Sequence, residues 1–147
     1  MPIRFYSLTV RYNADHQPQL RTTIEKIIAD HHRQVGNIQY VFCNSATSEK
    51  INREFLGHHY PTDIITFPYP EGDVVSAELW ICKPQVRINA LRFHQPFAVE
   101  MHRVIFHGIL HMVGYDDHTP KDVSEMRRAE NRYLDFFQGL LNGCASR

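Results

Sequence analysis

HGILHMVGYDDHTPKD, residues 107–122, is the stretch from which the fold of this chain can be worked out. At about 100° per residue, positions four apart lie about 40° apart around a helix, so His107 and His111 project side by side. Apolar residues flank both histidines, which predicts a largely buried helix over residues 97–113. Buried imidazoles need polar partners, because an unpaired polar group in an apolar interior is costly. A single metal ion would be a partner for both rings.

The residues that follow predict an abrupt end to this helix and the start of another. Gly114 can adopt the left-handed conformation that ends helices. Thr119 suits the N-cap of the next helix, with Pro120 at its first position and Asp122 as the acidic residue of a capping box. Residues 115–118 are therefore a short turn that can direct a ligand side chain back towards the two histidines.

This arrangement predicts one catalytic transition-metal ion, with zinc the expected metal. Three protein ligands leave a fourth position open for water, as in catalytic zinc sites. The alternative is a pair of core histidines held by ordinary hydrogen bonds. Gly108 carries a further indication, because a glycine inside a helix costs about 1 kcal/mol relative to alanine. Either a neighbouring strand or the substrate should approach the backbone there. Gly108 also occupies the place of the glutamate in H-E-x-x-H metallopeptidases.

Hydrophobic periodicity over the rest of the chain predicts a mixed set of helices and strands. We expect strands over residues 3–10, 38–43, 62–68 and 77–82, and helices over residues 19–32, 48–56, 84–93 and 120–141. Gly36 and Asn37 are interpreted as a turn. In the last helix the inward residues should be Val123, Met126, Tyr133, Leu134, Phe137 and Leu141. Strict βαβ alternation is absent, so we predict an α+β fold in one domain over residues 1–147, with a buried metal-bearing helix packed on a small mixed sheet.

Composition narrows the class of protein. The chain has 147 residues and a formal net charge of zero, so no overall basic character favours nucleic acid, and we expect no DNA partner. Cys43, Cys82 and Cys144 are odd in number and far apart, which argues against a disulfide framework. A membrane span needs about 18 consecutive apolar residues, and no stretch of the chain is that long. We expect neither a membrane partner nor a secretory signal. These observations favour a cytoplasmic protein.

The segment HGILHMVGYDDH, residues 107–118, resembles the signature H-G-x-L-H-x-x-G-Y-D-H of the YbeY family. Residues 51–57 and 61–67 are similar to a second family block, L-N-x-x-[aromatic]-R-x-x-x-x-P-T-D-V-L-S-F, and the likeness extends over about residues 36–135. The resemblance implies an α+β fold and a cytoplasmic, metal-dependent endoribonuclease specific for single strands. It also implies a role in ribosomal RNA maturation at the 3′ end of the small-subunit RNA, and in ribosome quality control. The implied partners are ribosomal RNA and the small ribosomal subunit.

Two departures from the family pattern bear on the site residues. The family has its third histidine ten positions after the first, where this chain has Asp117, and His118 comes one position later. Spacing favours Asp117 as the third ligand, whereas residue chemistry favours His118, and zinc accepts both donor types at about 2.0–2.2 Å. The family arginine that follows the aromatic residue of the second block is replaced by Leu56. Arg53, one helical turn earlier, could reach the same area and is our candidate catalytic residue.

The leading hypothesis is therefore a metal-dependent RNA hydrolase with His107, His111 and either Asp117 or His118 as ligands. Arg53 and Arg103 would offset the charge that develops on the phosphate. Two alternatives stay open. The first is a metallopeptidase-like hydrolase, which the missing glutamate at Gly108 opposes. The second is a non-catalytic, ribosome-associated protein whose metal ion is structural.

Overall fold

Five α-helices and four strands make up the part of the chain that the structure, a computed structural model, describes, which is residues 2–57 and 62–143. In chain order the elements are β1 (Ile3–Ser7), α1 (Gln17–Asp30), β2 (Gln34–Cys43), α2 (Ser45–Ile51), a π-helical turn (Asn52–Leu56), β3 (Ile64–Pro68), β4 (Val74–Cys82), α3 (Lys83–Arg92), α4 (Phe97–Met112) and α5 (Pro120–Leu141). The predicted α+β class, with helices on a small mixed sheet, is confirmed.

The sheet has the strand order β1-β2-β4-β3. β1 and β2 are parallel, as are β2 and β4, whereas β3 runs antiparallel to β4 at the edge. Side chains alternate between the two faces of a strand. In the two central strands one face is buried, and its residues are Ile38, Tyr40 and Phe42 in β2 and Val75, Ala77, Leu79 and Ile81 in β4. This face holds the hydrophobic core.

Helices α1 and α4 pack on the buried face of the sheet, and α5 packs against both of them. α4 lies close to the strands because Gly108 has no side chain. A Cβ atom at this position would stand 2.5 Å from Cδ2 of Leu79 and 2.9 Å from Cδ1 of Ile64. Of the two explanations for Gly108, the structure therefore supports a neighbouring strand. The close approach brings the histidines of α4 beside β3.

The ends of α4 and α5 follow the predicted local signals. Gly114 has φ 118°, and the amide of Tyr115 donates to the carbonyl of Leu110 at 3.0 Å, which closes the last turn of α4. Thr119 caps α5, and the capping box with Asp122 is complete. The segment between these two ends is short and anchored on both sides, so it fixes the direction of its side chains.

One end of β1, β2, β4 and α2 differs from the predicted bound by three or four residues, and two further predictions were wrong. Gly36 does not form a turn, because it lies inside β2 at an irregularity in the pairing with β4, packed against Ser76. Val123 does not face inward and is 49% exposed. At about 100° per residue it lies about 60° from Met126, on the border of the buried stripe that Met126, Tyr133 and Phe137 define.

The structure also bears on the cysteines and on membrane insertion. Cys43 and Cys82 are buried free thiols, and Cys144 lies outside the described residues. Among the helices of residues 2–57 and 62–143, none has the length and apolar character that a membrane crossing requires.

Candidate metal centre

α4 presents His107 and His111 on one side, as the four-residue spacing predicts. The two ring centroids are 4.8 Å apart and the rings are nearly perpendicular. The side chain of His107 is 23% exposed and that of His111 is 35% exposed, so both reach the surface. Their neighbours Phe106 and Leu110 are fully buried. The helix therefore holds the histidines rigidly while their outer nitrogens stay accessible.

Asp117 is the residue that the turn after α4 directs towards the histidines. Its Oδ2 lies 3.2 Å from Nε2 of His111 and 3.7 Å from Nε2 of His107. The ligand atoms of the three side chains all lie within 4.8 Å of one another. Ligands at about 2.0–2.1 Å from a tetrahedral ion stand about 3.4 Å apart. The two nitrogens and the carboxylate oxygen therefore fit a tetrahedral transition-metal ion and could hold one.

Glu130 of α5 orients His107 from the side opposite to Asp117. Its Oε2 accepts a hydrogen bond from Nδ1 of His107 at 2.7 Å, and its Oε1 accepts one from Nη1 of Arg103 at 3.0 Å. With Nδ1 as the donor, Nε2 of His107 keeps its lone pair for a metal ion. Metal-binding histidines commonly have a carboxylate in this position.

The charges around His107 shift the pKa of His107 and that of Glu130. Burial disfavours the imidazolium, but the hydrogen bond and charge of Glu130, with the charges of Asp63 and Asp117, raise the pKa of His107 above its ordinary value. Burial by itself would raise the pKa of Glu130, yet His107 and Arg103 hold it below its ordinary value. Glu130 is therefore ionised at neutral pH, although its side chain is only 6% exposed.

Asp63, immediately before β3, is a third carboxylate whose charge acts on His107. Burial raises the pKa of Asp63, and the charge of His107 with hydrogen bonds from the Ile64 amide and Asn89 opposes that rise. Nδ2 of Asn89 donates to Oδ2 of Asp63 at 3.3 Å. These contacts hold the carboxyl group at the edge of the site.

A cleft of about 630 Å³ opens over these residues. One wall carries His107, His111 and Asp117, and the other includes Thr62 and Asp63 with the cleft-facing residues of β3. This volume lies within the range of sites that take small-molecule ligands, about 300–1,000 Å³. It is more than a hydrated ion alone would fill.

The other predicted site residues lie elsewhere. His118 is 79% exposed, and its Nε2 lies 3.0 Å from Oδ1 of Asp116. Its nearest acidic groups are thus in its own turn, and it does not join the grouping of the two α4 histidines. Arg53 is exposed on the π-helical turn and is not among the described residues that line the cleft. Arg103 does not line the cleft either, because it is paired with Glu130.

Glu130 was missed by the sequence analysis, although a signal for it was present. Along α5, Met126, Glu130, Tyr133 and Phe137 recur at intervals of three and four residues and are all buried. A carboxylate on an apolar stripe requires a buried partner, so Glu130 was a candidate from its position alone.

Comparison with known proteins identifies a family that matches most of the chain. Residues 8–138 match the model of the family described as Endoribonuclease YbeY. The protein of that name from Chlorobaculum parvum is 38% identical over 142 residues, which covers 97% of this chain and 99% of the relative. The one from Phocaeicola vulgatus is 46% identical over 111 residues, which covers 76% of this chain and 80% of the relative.

A solved structure supports the fold independently of these names. The solution structure of a protein from Thermotoga maritima superposes with a TM-score of 0.68 at 28% identity and covers 96% of this chain and 92% of the other. The matched signature lies on α4 and in the turn that brings Asp117 to the two histidines. From the family match over 8–138 and these relatives, we conclude that the chain belongs to the YbeY endoribonuclease family.

Proposed function

We propose that this chain is a metal-dependent endoribonuclease that cleaves single-stranded RNA. Its proposed role is cytoplasmic maturation of ribosomal RNA at the 3′ end of the small-subunit RNA, together with ribosome quality control, with the small ribosomal subunit as partner. The observation that supports this most strongly is the grouping of His107, His111 and Asp117 in an open cleft of a YbeY-family chain. We further propose that residues 1–147 act as one hydrolase domain.

The proposed ligands are Nε2 of His107, Nε2 of His111 and the carboxylate of Asp117, and the proposed metal is zinc. When bound, the ion supplies Lewis-acid chemistry at a phosphodiester oxygen and lowers the pKa of its water. Glu130 keeps the His107 ring oriented through the 2.7 Å hydrogen bond. Asp117 is 42% exposed, which leaves the side facing the cleft accessible to substrate. We place Asp117 rather than His118 in the ligand set because of the directions of their side chains.

Arg53 is the proposed contact to the RNA backbone. It is exposed on a turn that directly follows α2, and a guanidinium is suited to bidentate phosphate binding. Replacement of Arg53 by glutamine should weaken RNA cleavage and leave the melting temperature unchanged.

The metallopeptidase alternative is favoured by the spacing of His107 and His111 but opposed by Gly108. Gly108 stands where such enzymes carry their glutamate, and the space beside it is occupied by Leu79 and Ile64. A peptide-substrate screen on the wild-type protein should therefore detect no hydrolysis.

The proposal is tested by cleavage of a labelled single-stranded RNA that contains a small-subunit 3′-end sequence. Wild-type protein should cut it, and EDTA treatment or His111→Ala should abolish the cut. His118→Ala is the matched control and should keep most of the activity. Equal cleavage by wild-type, chelated and His111→Ala protein would reveal a contaminating nuclease and reject the proposal.

Metal content is measured on the same preparations by elemental analysis. We expect close to one transition-metal ion per chain in wild type and His118→Ala, and loss of most of it in His107→Ala, His111→Ala and Asp117→Ala. Metal retained in Asp117→Ala but lost in His118→Ala would reverse the choice of the third ligand. A protein that holds the metal yet cuts no RNA would favour the non-catalytic alternative.

A further inference from the structure

The cleft continues beyond the three proposed ligands towards the start of β2 and the connection between β3 and β4. Its lining there consists of Arg33, the segment 68–70 and Val74. None of these residues belongs to the metal-binding signature on α4. This end of the cleft therefore has room and chemistry that the metal site does not use.

Arg33 is the one arginine or lysine among the described residues that line the cleft. Its Nε donates to the carbonyl of Asp73 at 3.2 Å, which ties the stem of the side chain to the β3–β4 connection. Within residues 2–57 and 62–143 it makes no ion pair with a carboxylate. The two terminal nitrogens of a guanidinium anchored in this way remain available as donors, in the planar arrangement that matches a phosphate group.

Tyr69 is at the rim of the same end of the cleft. Tyr69 is 55% exposed, and no aromatic ring of the described residues packs against it. Its amide donates to the carbonyl of Ser76 at 2.9 Å, and prolines on both sides restrict the backbone further. A large aromatic ring is thus held outward on a rigid backbone, although burial of that ring would be favourable.

We propose that Arg33 and Tyr69 form a nucleotide-binding subsite beside the metal centre, in which Arg33 binds a phosphate and Tyr69 stacks on an unpaired base. The inference rests on the proposed action on RNA and extends it by naming contacts that distinguish single strands. A base in a duplex has neighbours on both faces, whereas an unpaired base can place one face on an aromatic side chain. Stacking on Tyr69 would therefore contribute to the preference for single-stranded substrate.

Binding is tested with a fluorescein-labelled RNA of 12 nucleotides without self-complementarity, followed by fluorescence anisotropy. The protein keeps the metal that it carries after purification, and gel electrophoresis after each titration verifies that the RNA is intact. Tyr69→Ala should weaken binding about tenfold, and Tyr69→Phe should stay within about twofold of wild type, because the ring is what stacks. Binding of the corresponding 12-base-pair duplex should be the same for wild type and Tyr69→Ala.

Arg33→Gln should also weaken binding of the single strand about tenfold. In addition it should reduce the slope of log affinity against log salt by about 0.7, which corresponds to one phosphate contact on a single strand. The matched controls are Tyr6→Ala and Arg92→Gln, which remove an exposed aromatic ring and an exposed guanidinium outside the cleft. Both controls should bind like wild type.

The results separate this inference from the proposed function. Unchanged binding in both Tyr69→Ala and Arg33→Gln, or equal losses in the controls, would overturn the subsite even if wild type cleaves RNA. Equal loss on duplex and single strand in Tyr69→Ala would overturn the stacking role. Selective losses as expected would support the subsite, even if the wild-type protein with zinc proved unable to cleave RNA.

Discussion

Glu130→Gln should lower both the stability of the protein and its affinity for metal, although Glu130 is not a proposed ligand. The carboxylate accepts one hydrogen bond from His107 at 2.7 Å and one from Arg103 at 3.0 Å, with its side chain 6% exposed. A glutamine has one acceptor oxygen, so one of the two donors would face an amide NH₂ group. Hydrogen bonds to charged groups contribute about 1.5–3 kcal/mol each, and we expect a loss of about 2–3 kcal/mol.

The lost stability should appear in thermal unfolding followed by circular dichroism, with EDTA present so that metal does not contribute. At about 3 °C per kcal/mol for a chain of this length, the melting temperature should fall by about 6–9 °C. Zinc affinity, measured by competition with a chromophoric chelator, should fall about 10–100-fold, as is usual when the residue that orients a ligand is replaced. Glu125→Gln on the same helix is the control, because its side chain is 43% exposed and 4.0 Å from Lys121. Such surface pairs contribute little.

A double-variant cycle makes this reasoning refutable. Arg103 and Glu130 are in direct contact, so the loss in Arg103→Leu combined with Glu130→Gln should be smaller than the sum of the two single losses. Additive losses would contradict the pairing. Zinc affinity within twofold of wild type in Glu130→Gln would contradict the claim that this carboxylate orients His107.

Three further predictions concern packing, helix capping and pH. Gly108→Ala should destabilise the protein by about 1–3 kcal/mol in chemical denaturation, because the added methyl group would meet Leu79 and Ile64 and outweigh the gain in helix propensity. Asn44→Ala should cost about 1 kcal/mol in the same assay, since the Asn44 side chain caps α2 by accepting from the Thr47 amide at 2.9 Å. Burial, together with the charge of His16, lowers the pKa of His102 from 6.5 to about 4. As the pH falls, His102 therefore binds a proton at a higher pH in the unfolded chain than in the folded protein. The free energy of unfolding should be unaffected by His102 above pH 6.5 and should decrease as the pH falls from 6.5 towards 4. His102→Leu should flatten that part of the pH profile.

The sequence alone was sufficient to predict helix α4, the residue at which it ends and the residue at which α5 begins. The predicted span 120–141 is the observed helix, and the predicted 97–113 differs from the observed α4 by one residue. The signals there are local: the spacing of His107 and His111, a glycine at the stop and a capping box at the start. Local signals of this kind need no knowledge of what the helix packs against. The predicted start of α2 is three residues late, because the cap at Asn44 is a further local signal that hydrophobic periodicity does not register.

The direction of the third candidate ligand could not be predicted in the same way. Asp117 and His118 are adjacent in a four-residue turn, and both are suitable donors for zinc. Which of them points at α4 depends on the path of the backbone between Gly114 and Thr119. The structure directs Asp117 to His111 and pairs His118 with Asp116. Whether Asp117 binds the metal stays a prediction for the elemental analysis.

Contacts between distant elements were beyond sequence reasoning for a different reason. Arg33 precedes β2 and Tyr69 follows β3. Both strands pair with β4, so the two residues come to line the same cleft. Alternation of apolar residues identifies a strand but does not determine its neighbours in the sheet. The irregular start of β2 added to the difficulty, because Gly36 at a bulge has the same sequence signature as a turn.

The distribution of positive charge restricts how RNA can be held at this site. The formal net charge of the chain is zero, and Arg103 and Arg127 both lie near the carboxylate of Glu130, at 3.0 Å and 3.8 Å. Each phosphate contact on a single strand contributes about 0.7 to the salt dependence of binding. If Arg33 in the cleft and Arg53 outside it each bind one phosphate, the two contacts together contribute about −1.4 to the slope. Under the proposed function, counterion release from these contacts is then a weak source of affinity. Most of the affinity would have to come from stacking on Tyr69 and from a metal ion at the proposed site. If the small ribosomal subunit is the partner, as proposed above, a strand that it presents would need fewer contacts from this chain than one free in solution.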